Sequence, residues 1–331
     1  MRYQVLSSMG TSVSRVCIGT ATFGVAPLAE DVGKLVHQAL DAGVNFIDTA
    51  NSYGNQGRFD RPGVPPANQR ASAEELVGAA LKGRRDEVVL ATKVSEPVGA
   101  GPNDGGLFGG GLSRVHIMRQ VERSLRRLGT DHIDVYYAHH PDPLTRIEET
   151  LQTFEDLIRQ GKIRHYALST YGGWQLTEAV LRADQLGLRR PVCHQTRYNV
   201  ADRWVETDVL PASRHLGIST TVFSPLAGGL LAGVGRQREF AGDTRWGGRG
   251  FSEQQLQLAE RFTNLAESWG HRPAHVALAW LLAQPGIGSV IIGPESVEEL
   301  ESAMPAADLE LDEAQVAQLT ALVPSPPGFW G

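Results

Sequence analysis

The sequence predicts an α/β protein built as a closed (β/α)8 TIM barrel, in which eight parallel strands alternate with helices. Short runs rich in β-branched residues alternate with amphipathic segments along the 331 residues. Eight such runs occur, and eight strand–helix units fit a closed barrel better than an open, doubly wound sheet. No proline- or serine-rich linker divides the chain, so residues 1–331 are predicted to form a single domain.

The predicted strands are short and rich in Val, Ile, Thr and Tyr, the residues that favour a pleated and buried backbone. They are residues 15–20, 45–50, 88–94, 133–140, 163–170, 191–199, 218–227 and 288–294. Residues 3–14 precede the first of these runs and are predicted to form an N-terminal hairpin.

Helices are predicted where apolar residues recur at helical spacing and a glycine follows the last turn. Residues 30–43 show both features, with Gly43 as the stop signal. The same reading gives helices at 116–129, 145–161, 172–187 and 272–286, and Pro273 lies in the first turn of the last one.

Three connections are too long for simple turns, namely residues 54–72, 95–113 and 228–250. Long loops in compact domains are commonly functional. Because all three follow strands, they are predicted to lie at the C-terminal face of the barrel, where barrel enzymes carry their active sites.

Composition excludes several classes of protein. The net charge is −6 and no basic run is present, which argues against a nucleic-acid partner. No apolar run reaches the ~18 residues of a membrane span, and the N-terminus lacks the apolar core of a signal peptide. Cys17 and Cys193 lie in apolar runs and are predicted to be reduced core thiols of a cytoplasmic protein. The sequence makes no prediction of the oligomeric state.

Polar side chains gather near the C-terminal ends of three consecutive predicted strands. Asp48, Lys93 and His139 lie there, and Tyr53 follows the first of these strands. A parallel barrel makes such groups neighbours, although they are far apart in sequence. Each one alone has an ordinary structural explanation, as a helix cap, a solvated lysine, a core histidine or a packed aromatic residue.

The four residues together can protonate an alkoxide as it forms at a carbonyl carbon. A tyrosine has a pKa of ~10, and a neighbouring ammonium lowers that pKa by favouring the phenolate. Lys93 can be this neighbour, Asp48 can hold Lys93 charged, and His139 can hydrogen-bond to the carbonyl oxygen. Such chemistry requires a hydride source, which suggests a nicotinamide cofactor.

His140 competes with His139 for this role, because period-two alternation would send the two rings to opposite sides. A metal site is disfavoured. The run His-His-x-Asp does not easily converge on one ion from a strand end, and no HExxH pattern is present.

At these residues the sequence resembles the aldo-keto reductase family. The matching segments are GVNFIDTANSYG, VVLATKV, LGTDHIDVYYAHHPD, GKIRHYALST and FSPLAGGLL, in order over nearly the whole chain. The resemblance implies that Tyr53 is the general acid, Lys93 the modulator of its pKa, Asp48 the partner of Lys93, and His139 the group that orients the carbonyl. It selects His139 because the family's histidine precedes x-Pro-Asp.

The resemblance also implies a cofactor site across the barrel mouth. Ser169 and Gln195 would hold the nicotinamide carboxamide, and Phe223 would stack on the ring. The remaining residues implied as cofactor contacts include those beside the pyrophosphate and those at the adenosine end. They are Thr20, Asp48, Ser224, Leu226, Gly228, Gly293, Glu295 and Glu299. Residues 292–303 would meet the adenosine.

Several residues depart from the family pattern. Thr170 stands where Asn is frequent, and Phe223 where Tyr is common, although an aromatic face suffices for stacking. The family habit implies NADP(H), but Glu295 and Glu299 stand where basic or amide residues are frequent and would repel a 2′-phosphate. Ala303 replaces a usual Asn. A preference for NAD(H) over NADP(H) is therefore predicted, unless Arg236, Arg238 or Arg245 supplies a positive charge that pairs with the 2′-phosphate.

The leading functional hypothesis is reduction of a small-molecule aldehyde or ketone, and the polar loops favour a sugar-like or other hydroxylated substrate. Those polar residues are Asn51, Asn55, Asn68, Asn103, Asp104, Arg245 and Arg249, and the candidate pocket walls are Phe59, Phe108, Trp174 and Trp246. Two alternatives remain open. One is an aldolase that uses Lys93 as a Schiff-base nucleophile, which needs a lowered lysine pKa that Asp48 would oppose. The other is a cofactor-binding regulatory or channel-associated barrel with little turnover.

Overall fold

A computed structural model describes residues 1–54, 56, 57, 60, 62–98, 110–233 and 250–324. Its strands are β1 Tyr3–Val5, β2 Ser12–Ser14, β3 Val16–Gly19, β4 Phe46–Asp48, β5 Val89–Val94, β6 Ile133–Ala138, β7 Ile163–Ser169, β8 Cys193–Arg197, β9 Ser219–Phe223 and β10 Ile287–Ile292. The last eight form a closed barrel in the order β10-β3-β4-β5-β6-β7-β8-β9, and every pair in it is parallel. The predicted (β/α)8 barrel is confirmed.

The helices connect the strands and cover the outside of the barrel. They are α1 Ala29–Asp41, α2 Ala73–Ala80, α3 Arg114–Leu128, α4 Ile147–Arg159, α5 Gly173–Gln185, α6 Val209–Leu216, α7 Glu253–Ser268, α8 Pro273–Ala283, α9 Val297–Ala303 and α10 Glu313–Thr320. The five helices predicted from periodicity all occur, with bounds shifted by three residues at most, and the described residues contain five further helices. None of the described helices is long and apolar enough to cross a bilayer.

Alternation along the strands separates two apolar clusters. Side chains at every second position fill the barrel interior, including Cys17, Phe46, Ala91, Val135, Tyr137, Ala167 and Cys193. Those at the intervening positions pack outward against the helices, as Ile18, Ile47, Leu90 and Tyr136 do. Removing both faces of each strand from water is the main source of stability of such a barrel. Both cysteines are buried and free, as predicted.

The N-terminal hairpin closes one end of the barrel. Strands β1 and β2 pair antiparallel, and the segment between them places Leu6 and Met9 in the interior cluster. A Cβ atom on Gly288 would lie 2.4 Å from Leu6 Cδ2, so the hairpin seats directly on the start of β10. The polar residues described next lie at the opposite end of the barrel, where the strands finish.

Candidate active site

Three of the four predicted catalytic residues come from consecutive strands. Asp48 is the last residue of β4, Lys93 lies near the end of β5, and His139 directly follows β6. The His139 N–H donates to Val94 O at 2.8 Å, which extends the sheet hydrogen bonding one residue past β6. The strand order thus places these three side chains at one rim.

Tyr53 is held in the turn that leaves β4. Its N–H donates to Ala50 O at 3.2 Å, and its carbonyl accepts from Ala73 N–H at 3.0 Å. Gly54 has φ +84°, and a Cβ atom there would lie 2.6 Å from Ala73 N and 2.8 Å from Phe23 O. Only glycine fits this close, left-handed position, so the turn and the tyrosine it carries are fixed against α2.

Lys93 is fully buried and uses all three of its donors. Its Nζ donates to the Asp48 carboxylate, to Thr49 O at 3.0 Å and to Tyr53 OH at 3.3 Å. Burial by itself lowers the pKa of Lys93, but the Asp48 carboxylate and the Tyr53 phenol oppose this, and the pKa is raised. The raised pKa favours the ammonium form of Lys93, and this group faces the tyrosine oxygen.

His139 approaches the tyrosine from the other side. Its Nε2 lies 3.4 Å from Tyr53 OH, and the two rings meet edge to face with centroids 5.7 Å apart. The Tyr53 hydroxyl consequently lies within contact distance of both the Lys93 ammonium and the His139 imidazole. All four residues predicted from sequence to converge at this rim do so.

Gln195 contacts this cluster in a way that the sequence did not predict. Its Nε2 donates to Asp48 Oδ1 at 2.9 Å, while Lys93 occupies Asp48 Oδ2. A carboxylate only accepts hydrogen bonds, so the amide nitrogen of Gln195 must face Asp48, and its Oε1 then points away from Asp48. Gln195 can therefore support Asp48 and still accept a hydrogen bond from another group.

The residues predicted to hold the nicotinamide fit that group. Ser169 ends β7 and pairs in register with Gln195. Its Oγ is buried and has no hydrogen-bond partner within the described ranges. A carboxamide offers one carbonyl acceptor and one NH2 donor, which match the Ser169 hydroxyl and the Gln195 Oε1. Phe223 ends β9 half-buried against the interior cluster, so its ring stands at the mouth.

The chain after β9 is strained. Ser224 and Ala227 have φ values of +56° and +51°, which non-glycine residues rarely adopt, and Gly228 follows at +70°. Strained backbone is concentrated at ligand-binding and catalytic sites, where the surroundings hold it in place. Leu226 is half-buried in the same turn.

Thr20 and Gly293 lie at the ends of the strands that flank β4 and β9. The Thr20 hydroxyl donates to Asp48 O at 3.1 Å, so Thr20 braces the backbone of Asp48. A Cβ atom on Gly293 would meet nothing within 4 Å, which leaves room for close approach of a ligand. Their roles as cofactor contacts stay predictions.

Glu299 lies over the first turn of α9. Its Oε2 accepts from Glu295 N–H at 3.0 Å, while Ser296 caps the helix by accepting from Glu299 N–H at 3.2 Å. The Glu299 carboxylate therefore occupies the Glu295 N–H group. A phosphate that approached this turn would meet that negative charge instead of a free donor. Ala303 ends α9, and Arg236, Arg238 and Arg245 lie outside the described residues.

His140 corrects one expectation. The rings of His139 and His140 do not point to opposite sides. They stack with centroids 4.5 Å apart and an interplanar angle of 7°. Strand β6 ends at Ala138, so period-two alternation no longer applies to these two residues. Ligand atoms of Glu96, His139 and His140 lie within 4.8 Å of one another, but nitrogen lone pairs in parallel ring planes do not converge on one ion.

The predicted substrate-contacting residues are only partly described. Asn51 is fully buried, and its N–H continues the sheet by donating to Lys93 O at 3.2 Å. Asn68 is exposed, and Trp174 is 70% exposed. The others, Asn55, Phe59, Asn103, Asp104, Phe108, Arg245, Trp246 and Arg249, lie outside the described residues.

Comparison with known proteins agrees with this geometry. Residues 15–324 match the model of the Aldo/keto reductase family. The chain is 38% identical to the uncharacterized oxidoreductase YrpG of Bacillus subtilis, over 99% of this chain and 98% of that protein. It is 33% identical to a probable voltage-gated potassium channel subunit beta of Arabidopsis thaliana, over 93% and 92% of the two chains. It is 28% identical to L-glyceraldehyde 3-phosphate reductase of Escherichia coli, over 96% and 91%.

Proposed function

The chain belongs to the aldo-keto reductase family and is an NAD(P)-dependent oxidoreductase, and we propose that Tyr53 is the general acid with which it reduces an aldehyde or ketone. One observation carries this proposal. The Tyr53 hydroxyl lies 3.3 Å from the Lys93 ammonium and 3.4 Å from His139 Nε2, at the open end of the barrel. A phenol in that position can give its proton to a carbonyl oxygen and remain as a stabilised phenolate.

Each of the other residues supports that proton transfer. The nicotinamide, when bound, supplies the hydride. Lys93 stabilises the phenolate because it stays charged, and Asp48 keeps Lys93 charged and oriented. His139 holds the substrate carbonyl oxygen close to the phenol. Burial of Lys93 and Asp48 keeps water from weakening these interactions.

Ser169, Gln195 and Phe223 are proposed to orient the nicotinamide so that its reacting face meets the carbonyl carbon. The unpartnered hydroxyl of Ser169 among the described residues supports this assignment. The carboxylate of Glu299 beside Glu295 N–H supports a preference for NAD(H) over NADP(H), because it opposes the charge of a 2′-phosphate.

The proposed substrate is a short hydroxylated aldehyde. A relative with 28% identity is named L-glyceraldehyde 3-phosphate reductase, and the sequence places several polar side chains in the long loops after the strands. The cytoplasm is the proposed compartment, since two free, buried cysteines suit a reducing environment.

The two rival functions make different demands. A Schiff-base aldolase needs a lysine with a lowered pKa, whereas the pKa of Lys93 is raised. A regulatory barrel without turnover is suggested by the relatives named as potassium channel subunits. The close contacts of Tyr53 with Lys93 and His139 favour turnover instead.

Turnover of Tyr53→Phe tests the proposal. NADH and NADPH oxidation would be followed with DL-glyceraldehyde, glyceraldehyde 3-phosphate and benzaldehyde. Removing the phenolic oxygen should lower kcat by about 100-fold or more while cofactor binding is retained. Tyr3→Phe is a matched control, because it removes the same hydroxyl at the opposite end of the barrel, where it donates to Gly43 O. Parental activity of Tyr53→Phe would remove Tyr53 from the mechanism.

A further inference from the structure

We propose that His140 is a positioning residue, held edge-on between Glu96 and Thr170, which fixes the ring of His139 against the substrate carbonyl. The inference rests on the proposed role of His139. It starts from the stacking of the two imidazoles, whose planes are within 7° of parallel and whose centroids are 4.5 Å apart. Tyr53 meets the edge of the same His139 ring at a centroid distance of 5.7 Å. His139 is thus held between two rings.

His140 can support its neighbour because both of its own nitrogens are occupied. Nδ1 lies 2.9 Å from Thr170 Oγ1, and Nε2 lies 2.8 Å from Glu96 Oε1. These contacts lie at opposite edges of the ring and come from different strands, since Glu96 follows β5 and Thr170 follows β7. Two such contacts set the tilt of the ring, and the stacking transfers that orientation to His139.

The Thr170 hydroxyl also reaches two backbone carbonyls. Thr170 Oγ1 donates towards Ser169 O at 2.7 Å and His139 O at 3.0 Å. The same oxygen contacts His140 Nδ1, so one hydroxyl ties the His140 ring to the backbone of His139. Glu96 Oε1 holds the other ring nitrogen, Nε2, at 2.8 Å.

Thr170 links this support to the predicted cofactor contacts. Its φ of +59° is strained for a β-branched residue, for which asparagine or glycine would be easier. Its N–H donates to Gln195 O at 2.9 Å, and its hydroxyl reaches the carbonyls of Ser169 and His139. The threonine hydroxyl therefore joins the segment that carries Ser169 to the one that carries His139.

The expected decrease in activity on loss of His140 is small, because the side chains of His140 and Glu96 are partly exposed. The His140 and Glu96 side chains are 46% and 31% exposed, so solvent weakens the contact between them. Packing and orientation should account for most of the contribution. Loss of His140 should lower kcat about 5- to 10-fold, far less than loss of a group that touches substrate.

Three variants separate stacking from hydrogen bonding. His140→Ala removes both, His140→Phe keeps a ring to stack on His139, and His140→Gln keeps polar groups for Glu96 and Thr170. We expect the whole 5- to 10-fold decrease of kcat in His140→Ala and a smaller decrease in His140→Phe. The melting temperature and the Kd for NAD(P)H should stay near the parental values, because His140 touches neither the core nor the predicted cofactor contacts directly.

Thr170→Val should behave differently. It keeps the β-branched shape but removes the hydroxyl, so both kcat and the Kd for NAD(P)H should worsen by several-fold. A His140→Ala enzyme with parental kcat and KM would overturn the inference, as would an equal loss in His140→Phe and His140→Ala. The Tyr53→Phe variant distinguishes failure of this inference from failure of the proposed mechanism. If Tyr53→Phe is inactive and His140→Ala is parental, only this inference fails, whereas an active Tyr53→Phe refutes the proposed mechanism itself.

Discussion

Gln195 donates a hydrogen bond to Asp48 at 2.9 Å across the mouth of the barrel. The two residues belong to β8 and β4, which are four strands apart in a closed ring of eight and therefore face each other. The bond joins the residue proposed to hold the nicotinamide to the carboxylate that anchors Lys93. Cofactor orientation and proton donation are thus connected by a single side chain.

Replacing Gln195 should therefore damage two functions, and replacing Ser169 only one. Gln195→Met removes the donor to Asp48 and the acceptor for the carboxamide, so we expect kcat to fall and the Kd for NAD(P)H to rise, each by about 10-fold. Ser169→Ala should raise the Kd several-fold with kcat nearly unchanged. The free energy of unfolding of Ser169→Ala should also be unchanged, since the Ser169 Oγ has no hydrogen-bond partner in the described part of the free protein. Cofactor titration by fluorescence, steady-state kinetics and urea unfolding measure these quantities. Parental kcat in Gln195→Met would show that the cross-barrel bond does not matter for turnover.

Neutralising Glu299 should shift cofactor choice towards NADPH. Glu299→Gln keeps an oxygen that can accept from Glu295 N–H but removes the charge that opposes a 2′-phosphate. We expect the ratio of kcat/KM for NADPH to that for NADH to rise several-fold. Glu301→Gln is the matched control, because Glu301 lies on the same helix but bonds Gln38 on α1 at 2.7 Å. The same shift in both variants would indicate a general charge effect, and no shift in Glu299→Gln would refute the assignment.

His194 should make the protein sensitive to acid. It is fully buried, its Nε2 accepts from Tyr171 N–H at 3.2 Å, and burial lowers its pKa to about 4. The unfolded chain binds this proton near pH 6.5, so the stabilisation is complete above that pH and is lost as the pH falls towards 4. Between pH 7 and pH 5 this one group should remove about 2 kcal/mol from the free energy of unfolding.

His194→Gln isolates that effect, because glutamine can accept from Tyr171 N–H without titrating. Urea unfolding of both proteins at pH 7 and pH 5 gives the comparison. The parent should lose about 2 kcal/mol more than the variant over this interval. An equal loss in the two proteins would assign the acid sensitivity to other groups.

Most barrel strands could be predicted from the sequence, because a buried parallel strand is a short, continuous apolar run. The errors occur where another local force ends the strand. Residues 133–140 were predicted as one strand, but β6 ends at Ala138, shortly before Pro141, which has no N–H to donate. Residues 218–227 were also too long, because Ser224 turns the chain at φ +56° after β9.

Some helices were missed although a local signal was present. Helix α2 begins with a capping box, in which Ser72 Oγ accepts from Glu75 N–H at 3.3 Å and the Glu75 carboxylate accepts from Ser72 N–H at 2.7 Å. The Ser-x-x-Glu spacing could have revealed it. Helix α9 has only seven residues, too few for periodicity to define.

The four polar residues at the rim could be predicted, because strand order alone brings the ends of β4, β5 and β6 together. Their finer contacts could not. The bond from Gln195 to Asp48 depends on how far opposite strands approach across the mouth, and the stacking of His140 on His139 depends on backbone beyond the last strand residue. Neither distance is encoded in alternation or spacing.

The buried pair of Lys93 and Asp48 should be strongly coupled in stability as well as in activity. Both side chains are almost completely buried, and each is the counter-charge of the other. Lys93→Met leaves a buried carboxylate and Asp48→Asn leaves a buried ammonium, so each single change should cost about 3–5 kcal/mol. The double variant leaves no unpaired charge and should be more stable than the sum of the two losses predicts, although it should be inactive like both single variants.

An exposed pair of similar geometry supplies the control. Arg190 and Asp184 approach to 2.6 Å but are 48% and 38% exposed. The cycle of Arg190→Met, Asp184→Asn and their double variant should give a coupling free energy far smaller than that of the buried pair. Urea unfolding at pH 7 yields both cycles. If the coupling of Lys93 with Asp48 were as small as that of the surface pair, solvent would have to reach the site, and an ammonium held charged by its buried carboxylate could not be what stabilises the Tyr53 phenolate.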